Sequence, residues 1–114
     1  MMDHKTVEEY LLGMPNAKLD YPFGKEAAVY KVGDKMFAII AEGSNPVRIS
    51  LKCDPQLAVL LREKYETVMP GYHLSKKHWN TVVLSGQLPW EEIQGLITHS
   101  YNLVAGLDSD TPAA

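Results

Sequence analysis

Three strand-like segments lie close together in the first half of the chain. Residues 26–32 and 35–41 are separated only by Gly33-Asp34, a pair typical of tight hairpin turns. Residues 42–46, EGSNP, consist of turn-forming residues and lead directly into a third segment at 47–53. Because a parallel crossover needs a dozen or more residues, connections this short predict an antiparallel meander.

The third segment, VRISLKC, alternates between apolar and polar residues. In a strand the two sets point to opposite faces of the sheet. We therefore expect a half-buried strand whose outer face is basic, with helices covering the inner face. The inner set is Val47, Ile49, Leu51 and Cys53, and the outer set is Arg48, Ser50 and Lys52.

Helical patterns flank the meander on both sides. Residues 6–14 begin with the capping-box pattern T-x-x-E, and Asp54-Pro55 has the residue types that open a second helix. Residues 79–85 resemble a fourth strand, and a third helix is predicted over about 90–107. The order α-β-β-β-α-β-α predicts an α+β fold, with a small antiparallel sheet and helices packed on one face.

The spacing of apolar residues predicts which side of each helix is buried. In the second helix, Arg62 is predicted to face solvent. The predicted buried residues of the second and third helices are Leu57, Leu60, Leu61 and Tyr65, and Ile93, Leu96, Ile97, Tyr101, Val104 and Leu107.

Length and composition predict an ordinary globular protein. A chain of 114 residues fits one domain, which we expect over residues 1–107, with a flexible tail at 108–114. The sequence contains neither an apolar run of the ~20 residues that a membrane helix needs nor a secretory signal at its start. Its single cysteine suits a reducing compartment. These features favour a cytoplasmic monomer with no membrane association.

Positive charge is concentrated in the middle of an acidic chain. The net charge is −3, which argues against a large electrostatic footprint for nucleic acid. Residues 48–78 nevertheless carry six Lys or Arg against three Asp or Glu. This basic region ends in an unusual segment at 70–80, PGYHLSKKHWN, which gathers two lysines, two histidines and two aromatic residues. Basic residues interleaved with aromatics suit single-stranded nucleic acid.

Segment 70–80 has two interpretations that the residues leave open. It can be structural, with Trp79 in the core and two lysines that keep a strand edge solvated. It can also bind nucleic acid. Lysines, Arg48 and protonated histidines would then meet phosphates, Tyr72 would stack on a base, and Asn80 or Ser75 would form a hydrogen bond with the backbone or a base edge. The candidate binding residues are Arg48, Lys52, Tyr72, His73, Lys76, Lys77, His78 and Asn80.

Catalytic and metal-binding patterns are missing from the sequence. It has no G-x-S-x-G elbow, no phosphate-binding glycine loop and no H-E-x-x-H. His73 and His78 are five residues apart, and Cys53 and His99 lie elsewhere, which does not match the repeated spacing of zinc ligands. Cys53 is predicted to be an unreactive core thiol. We therefore expect a non-enzymatic protein with no metal and no cofactor.

Several longer motifs resemble the YjbR/MmcQ family over nearly the whole chain. They are PFG at 22–24, GDKMFA at 33–38, LKCDP at 51–55, LREKY at 61–65, PGYHLSKKHWNTVVLSG at 70–86 and SYNLV at 100–104. The resemblance implies a CyaY-like α+β domain with a proposed double-wing DNA-binding arrangement, and it implies DNA as the partner.

The acidic residues Asp34 and Glu42 lie in the loops that would form such wings. They would repel phosphate, which moves the predicted DNA contact to segment 70–80. The contact would be weak and would show little sequence preference. The alternative is a non-catalytic module that binds a small anion or a protein partner on the open sheet face.

Overall fold

The computed structural model describes residues 3–71 and 74–106. Within these residues the chain forms three helices and six strands. In chain order they are α1 (His4–Leu12), β1 (Lys18–Asp20), β2 (Ala27–Val32), β3 (Lys35–Ala41), β4 (Arg48–Lys52), α2 (Pro55–Lys64), β5 (Val68–Pro70), β6 (Trp79–Val83) and α3 (Trp90–Ala105). In the described residues no helix is both long and apolar enough to cross a bilayer.

The predicted α+β class and the antiparallel meander are confirmed. The strands form one sheet in the order β1-β2-β3-β4-β6-β5, and every neighbouring pair is antiparallel. Gly33 and Asp34 have φ angles of 55° and 69°, as the predicted tight hairpin requires. The sequence did not predict β1 and β5, which add one short strand at each edge of the sheet.

All three described helices make their contacts with the same face of the sheet. From α1, Glu8 accepts a hydrogen bond from the Tyr30 hydroxyl of β2 at 3.2 Å. From α3, the Ser100 hydroxyl donates to the Phe37 carbonyl at 2.5 Å and accepts from the Lys52 amide at 2.9 Å. We call the opposite side of the sheet the open face. The predicted arrangement of helices on one face is thus confirmed.

The alternation in β4 also holds, because Ile49 and Leu51 are buried while Arg48 is exposed. In β3 the alternation is interrupted. The pairing of β2 with β3 shifts between Tyr30 and Lys31, and Phe37 has no opposite residue there. Phe37 is fully buried and packs edge-on against Tyr101 of α3, with the ring centroids 5.4 Å apart.

Two details of the helices differ from the prediction. Helix α1 begins at His4, because the Asp3 side chain accepts from the Thr6 amide at 2.9 Å; Asp3 and not Thr6 is the N-cap. In α2, Leu60 is 60% exposed, whereas Ala58 is completely buried. The predicted stripe of α3 is buried or half-buried from Ile93 to Val104; Leu107 and the predicted tail lie outside the described residues.

Candidate nucleic-acid interface

The antiparallel order places several connections at the same end of the sheet. The connections 33–34, 53–54 and 71–78 meet there, because the end of β2, the end of β4 and the end of β5 all point to it. Lysines are concentrated at this end, so we call it the lysine end. Its lysines are Lys18, Lys31, Lys35, Lys52, Lys76 and Lys77.

Three of these lysines share the open face. Lys18 lies directly opposite Lys31, and Lys52 lies directly opposite Trp79. The neighbouring cross-strand row is Val29–Ile39–Ser50–Thr81. It lies on the open face, because Val29 alternates with Tyr30, which contacts α1. Lys31, Lys52 and Trp79 each lie two residues from a member of that row and therefore share its face. Lys31 also contacts Asp20, with Nζ 3.3 Å from Oδ2.

The predicted segment adds two exposed lysines beside this row. Residues 75–79 form a turn in which the Ser75 carbonyl accepts from the amides of His78 at 3.2 Å and Trp79 at 3.0 Å. Lys76, Lys77 and His78 are exposed. Tyr72 and His73, predicted to stack and to add charge, lie outside the described residues.

Trp79 anchors the segment, as the structural interpretation predicted. It is 7% exposed. The Gly71 amide donates to the Trp79 carbonyl at 2.9 Å, and a Cβ built on Gly71 would lie 2.7 Å from the Trp79 Cβ. This close approach admits only glycine without a shift in the pairing of β5 with β6.

Asn80 is not available to a ligand, and this part of the prediction is wrong. It is 3% exposed and lies on the helix face, since it is opposite Leu51. Its Nδ2 donates to the Ala58 carbonyl of α2 at 3.2 Å, and its Oδ1 accepts from Arg62 Nε at 2.7 Å. The side chain therefore ties α2 to β6.

Arg62 has a role that the sequence analysis missed. Besides Asn80, its guanidinium contacts the carbonyl oxygen of Lys76 and so supports the turn that carries the lysines. Arg62 and Ala58 are four residues apart in α2, about one helical turn, and so lie on the same side of the helix. The sequence pattern did not indicate this contact, because the burial of Ala58 becomes visible only in the fold.

Arg48 lies away from the lysine end. It shares the open face with Lys52, but it occupies the first position of the five-residue strand β4 and Lys52 the last. At about 3.3 Å per residue, the two Cα atoms are roughly 13 Å apart. The structure brings together Lys52, Lys76, Lys77 and His78 from the predicted set, and leaves Arg48 near the opposite end.

The interior below the lysine end offers little room for a ligand and no reactive thiol. A cavity of about 10 Å³ lies between the sheet, α2 and α3, lined in part by Lys52, Cys53 and His99. It has the size of a single water. Burial, with a smaller contribution from Asp54, raises the pKa of the Cys53 thiol to about 11, so it stays protonated near neutral pH. The described residues contain no cluster of His, Cys, Asp and Glu that would hold a metal.

The six-stranded antiparallel sheet with three helices on one face defines a small α+β protein. The YjbR family model matches residues 12–103, and the chain belongs to the YjbR family. The chain is 38% identical over 101 residues to the uncharacterized protein YbdF of Escherichia coli O157:H7, covering 89% of this chain and 83% of that one. It is 38% identical over 99 residues to the uncharacterized protein YjbR of Escherichia coli K12, covering 87% of this chain and 84% of the relative.

Solved structures support the same assignment. A crystal structure of a Deinococcus radiodurans protein with the family domain DUF419 superposes with a TM-score of 0.85 at 37% identity, covering 89% of this chain and 77% of the other. A Pseudomonas syringae protein gives a TM-score of 0.78 at 33% identity, covering 90% and 99% of the two chains.

Proposed function

We propose that this protein binds nucleic acid weakly through the phosphate backbone at the lysine end, without catalysis. The observation that carries the proposal is the gathering of six lysines at one end of an acidic protein. Asp34 and Asp54 lie in the connections at this end, and Asp54 is engaged as the N-cap of α2. Local positive charge of this kind supplies the sequence-independent part of nucleic-acid binding.

The layout of the lysines favours a polymer over a small anion. Lys18, Lys31 and Lys52 belong to β1, β2 and β4, which span three strand spacings, or roughly 14 Å. One strand of a duplex carries a phosphate about every 3.4 Å along its axis, so this row spans about four phosphates. The lysines lie on a sheet surface and a turn, and the cavity below them has room for no more than a single water.

The turn at residues 75–79 adds two lysine side chains to the proposed contact. Lys76 and Lys77 follow one another in a turn that is held by Arg62 and by the Ser75 carbonyl. Their backbone is therefore held in place, while their side chains are exposed and can reach phosphates. His78 is exposed beside them.

Fluorescence anisotropy with labelled 20-nucleotide single- and double-stranded DNA tests the proposal. Four phosphate contacts predict that affinity for the duplex falls roughly a hundredfold between about 50 and 200 mM salt. Different sequences of equal length should bind alike. The absence of binding at the lowest salt would contradict the proposal.

Competition between DNA and small anions distinguishes the proposed interface from the alternative, a site for one small anion. At constant ionic strength, millimolar phosphate or citrate should displace little DNA, because each anion replaces only one of several contacts. Saturable displacement by one such anion, with a shallow salt dependence, would favour a small-anion site instead.

A further inference from the structure

An apolar groove lies at the other end of the sheet. It has a volume of about 410 Å³ and runs between the 42–47 connection, the 84–89 connection and the start of α3. We call it the Trp90 groove. Its apolar lining consists of Pro46, Leu84, Leu88, Pro89, Trp90 and Ile93.

The floor of the Trp90 groove is part of the packed structure. Leu84, Leu88 and Ile93 are 8%, 7% and 1% exposed. Trp90 is half-buried and packs edge-on against Tyr10 of α1, with the ring centroids 5.5 Å apart. The groove is therefore held open by core contacts, and its volume falls in the range of about 300–1,000 Å³ typical of binding sites.

The charges around the groove are acidic. Five acidic residues lie in the connections at this end and in the first turn of α3. Among the described residues, Lys25 lies in the same connections, and Arg48 and Lys64 lie beside them at the start of β4 and the end of α2, so acids outnumber bases at this end by five to three. Glu91 and Glu92 occupy the first turn of α3, where they offset the positive end of the helix dipole. An anionic ligand is thus disfavoured. The five acids are Glu26, Glu42, Glu66, Glu91 and Glu92.

We propose that the Trp90 groove binds a short segment of another protein in which apolar residues are flanked by Lys or Arg. The apolar lining accepts the apolar side chains, and the acidic surroundings attract the flanking cations. Asn45 and Ser85 supply polar groups at the groove that can bind the peptide backbone. This surface lies at the end of the sheet opposite the lysine end, so the inference is independent of the proposed function.

Two synthetic peptides, KKLPLKK and EELPLEE, with blocked termini, serve as probes. Proton–nitrogen NMR spectra of the full chain report on both indoles. Trp90 lies in the groove and Trp79 lies at the lysine end, so the second indole is an internal control. We expect KKLPLKK to shift the Trp90 indole signal in a saturable way while the Trp79 signal stays in place. The acidic peptide should cause no shift at the same concentration.

A matched pair of variants tests the charge argument. Glu91→Gln/Glu92→Gln keeps an acceptor for the Tyr65 hydroxyl, which donates to Glu92 at 3.2 Å, but removes two charges. Asp34→Asn/Glu63→Gln removes the same charge from exposed positions outside the groove. We expect affinity for KKLPLKK to fall about threefold or more in the first variant at low salt, and to change little in the second.

Three results would overturn the inference. The first is an unchanged Trp90 signal at millimolar peptide, and the second is equal binding of both peptides. The third is a Trp90 shift that depends on protein concentration without any peptide, which would assign the groove to a second copy of the chain.

Discussion

Asn80 shows how one residue can resemble a binding residue and yet be structural. It follows two lysines, a histidine and a tryptophan, a context that suggests contact with nucleic acid. Its amide instead satisfies a carbonyl of α2 and the guanidinium of Arg62 in a buried position. Burying these polar groups is tolerated because each of them has a partner.

Replacing Asn80 by alanine is expected to destabilise the protein. The change leaves the Ala58 carbonyl and the Arg62 Nε without this partner, at a cost of about 1–3 kcal/mol in the free energy of unfolding. Urea denaturation measures the difference. Gln56→Ala, which removes an exposed amide from α2, is the control and should change stability little. A stable Asn80→Ala variant that loses only DNA affinity would contradict this role.

Cys53 is predicted to be protected from alkylation by its burial. The thiol is 4% exposed, and its pKa is raised from 9.0 to about 11. Because the pKa is higher in the folded protein, the protonated thiol favours folding below about pH 9, and this contribution is lost as the pH rises through about 11.

Iodoacetamide labelling followed by mass spectrometry tests the prediction for Cys53. At pH 8 the folded protein should react far more slowly than the protein in urea, because the thiolate is the reactive form. Equal rates in the two states would contradict the buried, protonated thiol.

At the scale of elements, the pairing of β5 with β6 holds the lysine segment in place. Gly71 follows β5 and lies against Trp79, the first residue of β6. The chain between them carries two lysines of the candidate interface, Lys76 and Lys77. Any side chain at Gly71 must separate the two strands or move the tryptophan.

Two glycine-to-alanine substitutions test this contact. Gly71→Ala brings a Cβ within 2.7 Å of the Trp79 Cβ and should destabilise the protein by about 1–3 kcal/mol. Gly95→Ala adds a Cβ that meets nothing within 4 Å on an exposed part of α3 and should stabilise it by about 0.5–1 kcal/mol. Thermal denaturation of both variants gives the comparison. Equal stabilities would contradict the close contact at Gly71.

The elements show which parts of the fold the sequence predicts. Short connections and the alternation in β4 predicted the meander and its two faces, because both depend on local geometry. Strands β1 and β5 have three residues each, too few for a period to appear. The burial of Phe37 depends on a shift in pairing, and pairing between strands is not encoded in one strand alone.

The candidate site was predictable to a similar degree. Lys52, Lys76 and Lys77 were identified from charge and pattern, and the structure places them at one end of the sheet. Lys18 and Lys31 were missed, because only the order of the strands brings them beside Lys52. Arg48 was placed with Lys52 on the correct face, but the direction of β4 carries it to the other end.

For the whole molecule, the main feature is a separation of charge along the sheet. The net charge of −3 conceals a lysine end and an opposite end whose connections are acidic. A polyanion should therefore approach from one direction, and the acidic end should face away from it. Binding that depends on this separation must weaken with salt, since the charges are exposed.

The most direct test of the central claim compares two variants with the same net charge. Lys76→Ala/Lys77→Ala removes two cations from the lysine end, and Lys5→Ala/Lys25→Ala removes two exposed cations from α1 and the 21–26 connection. DNA anisotropy is measured for both variants and the wild type across a salt series. We expect the slope of log affinity against log salt to become shallower by about 1.8 for the first variant, at about 0.9 per lost phosphate contact, and to stay near the wild-type slope for the second. Equal losses in both variants would show that only net charge matters, and would contradict an interface at the lysine end.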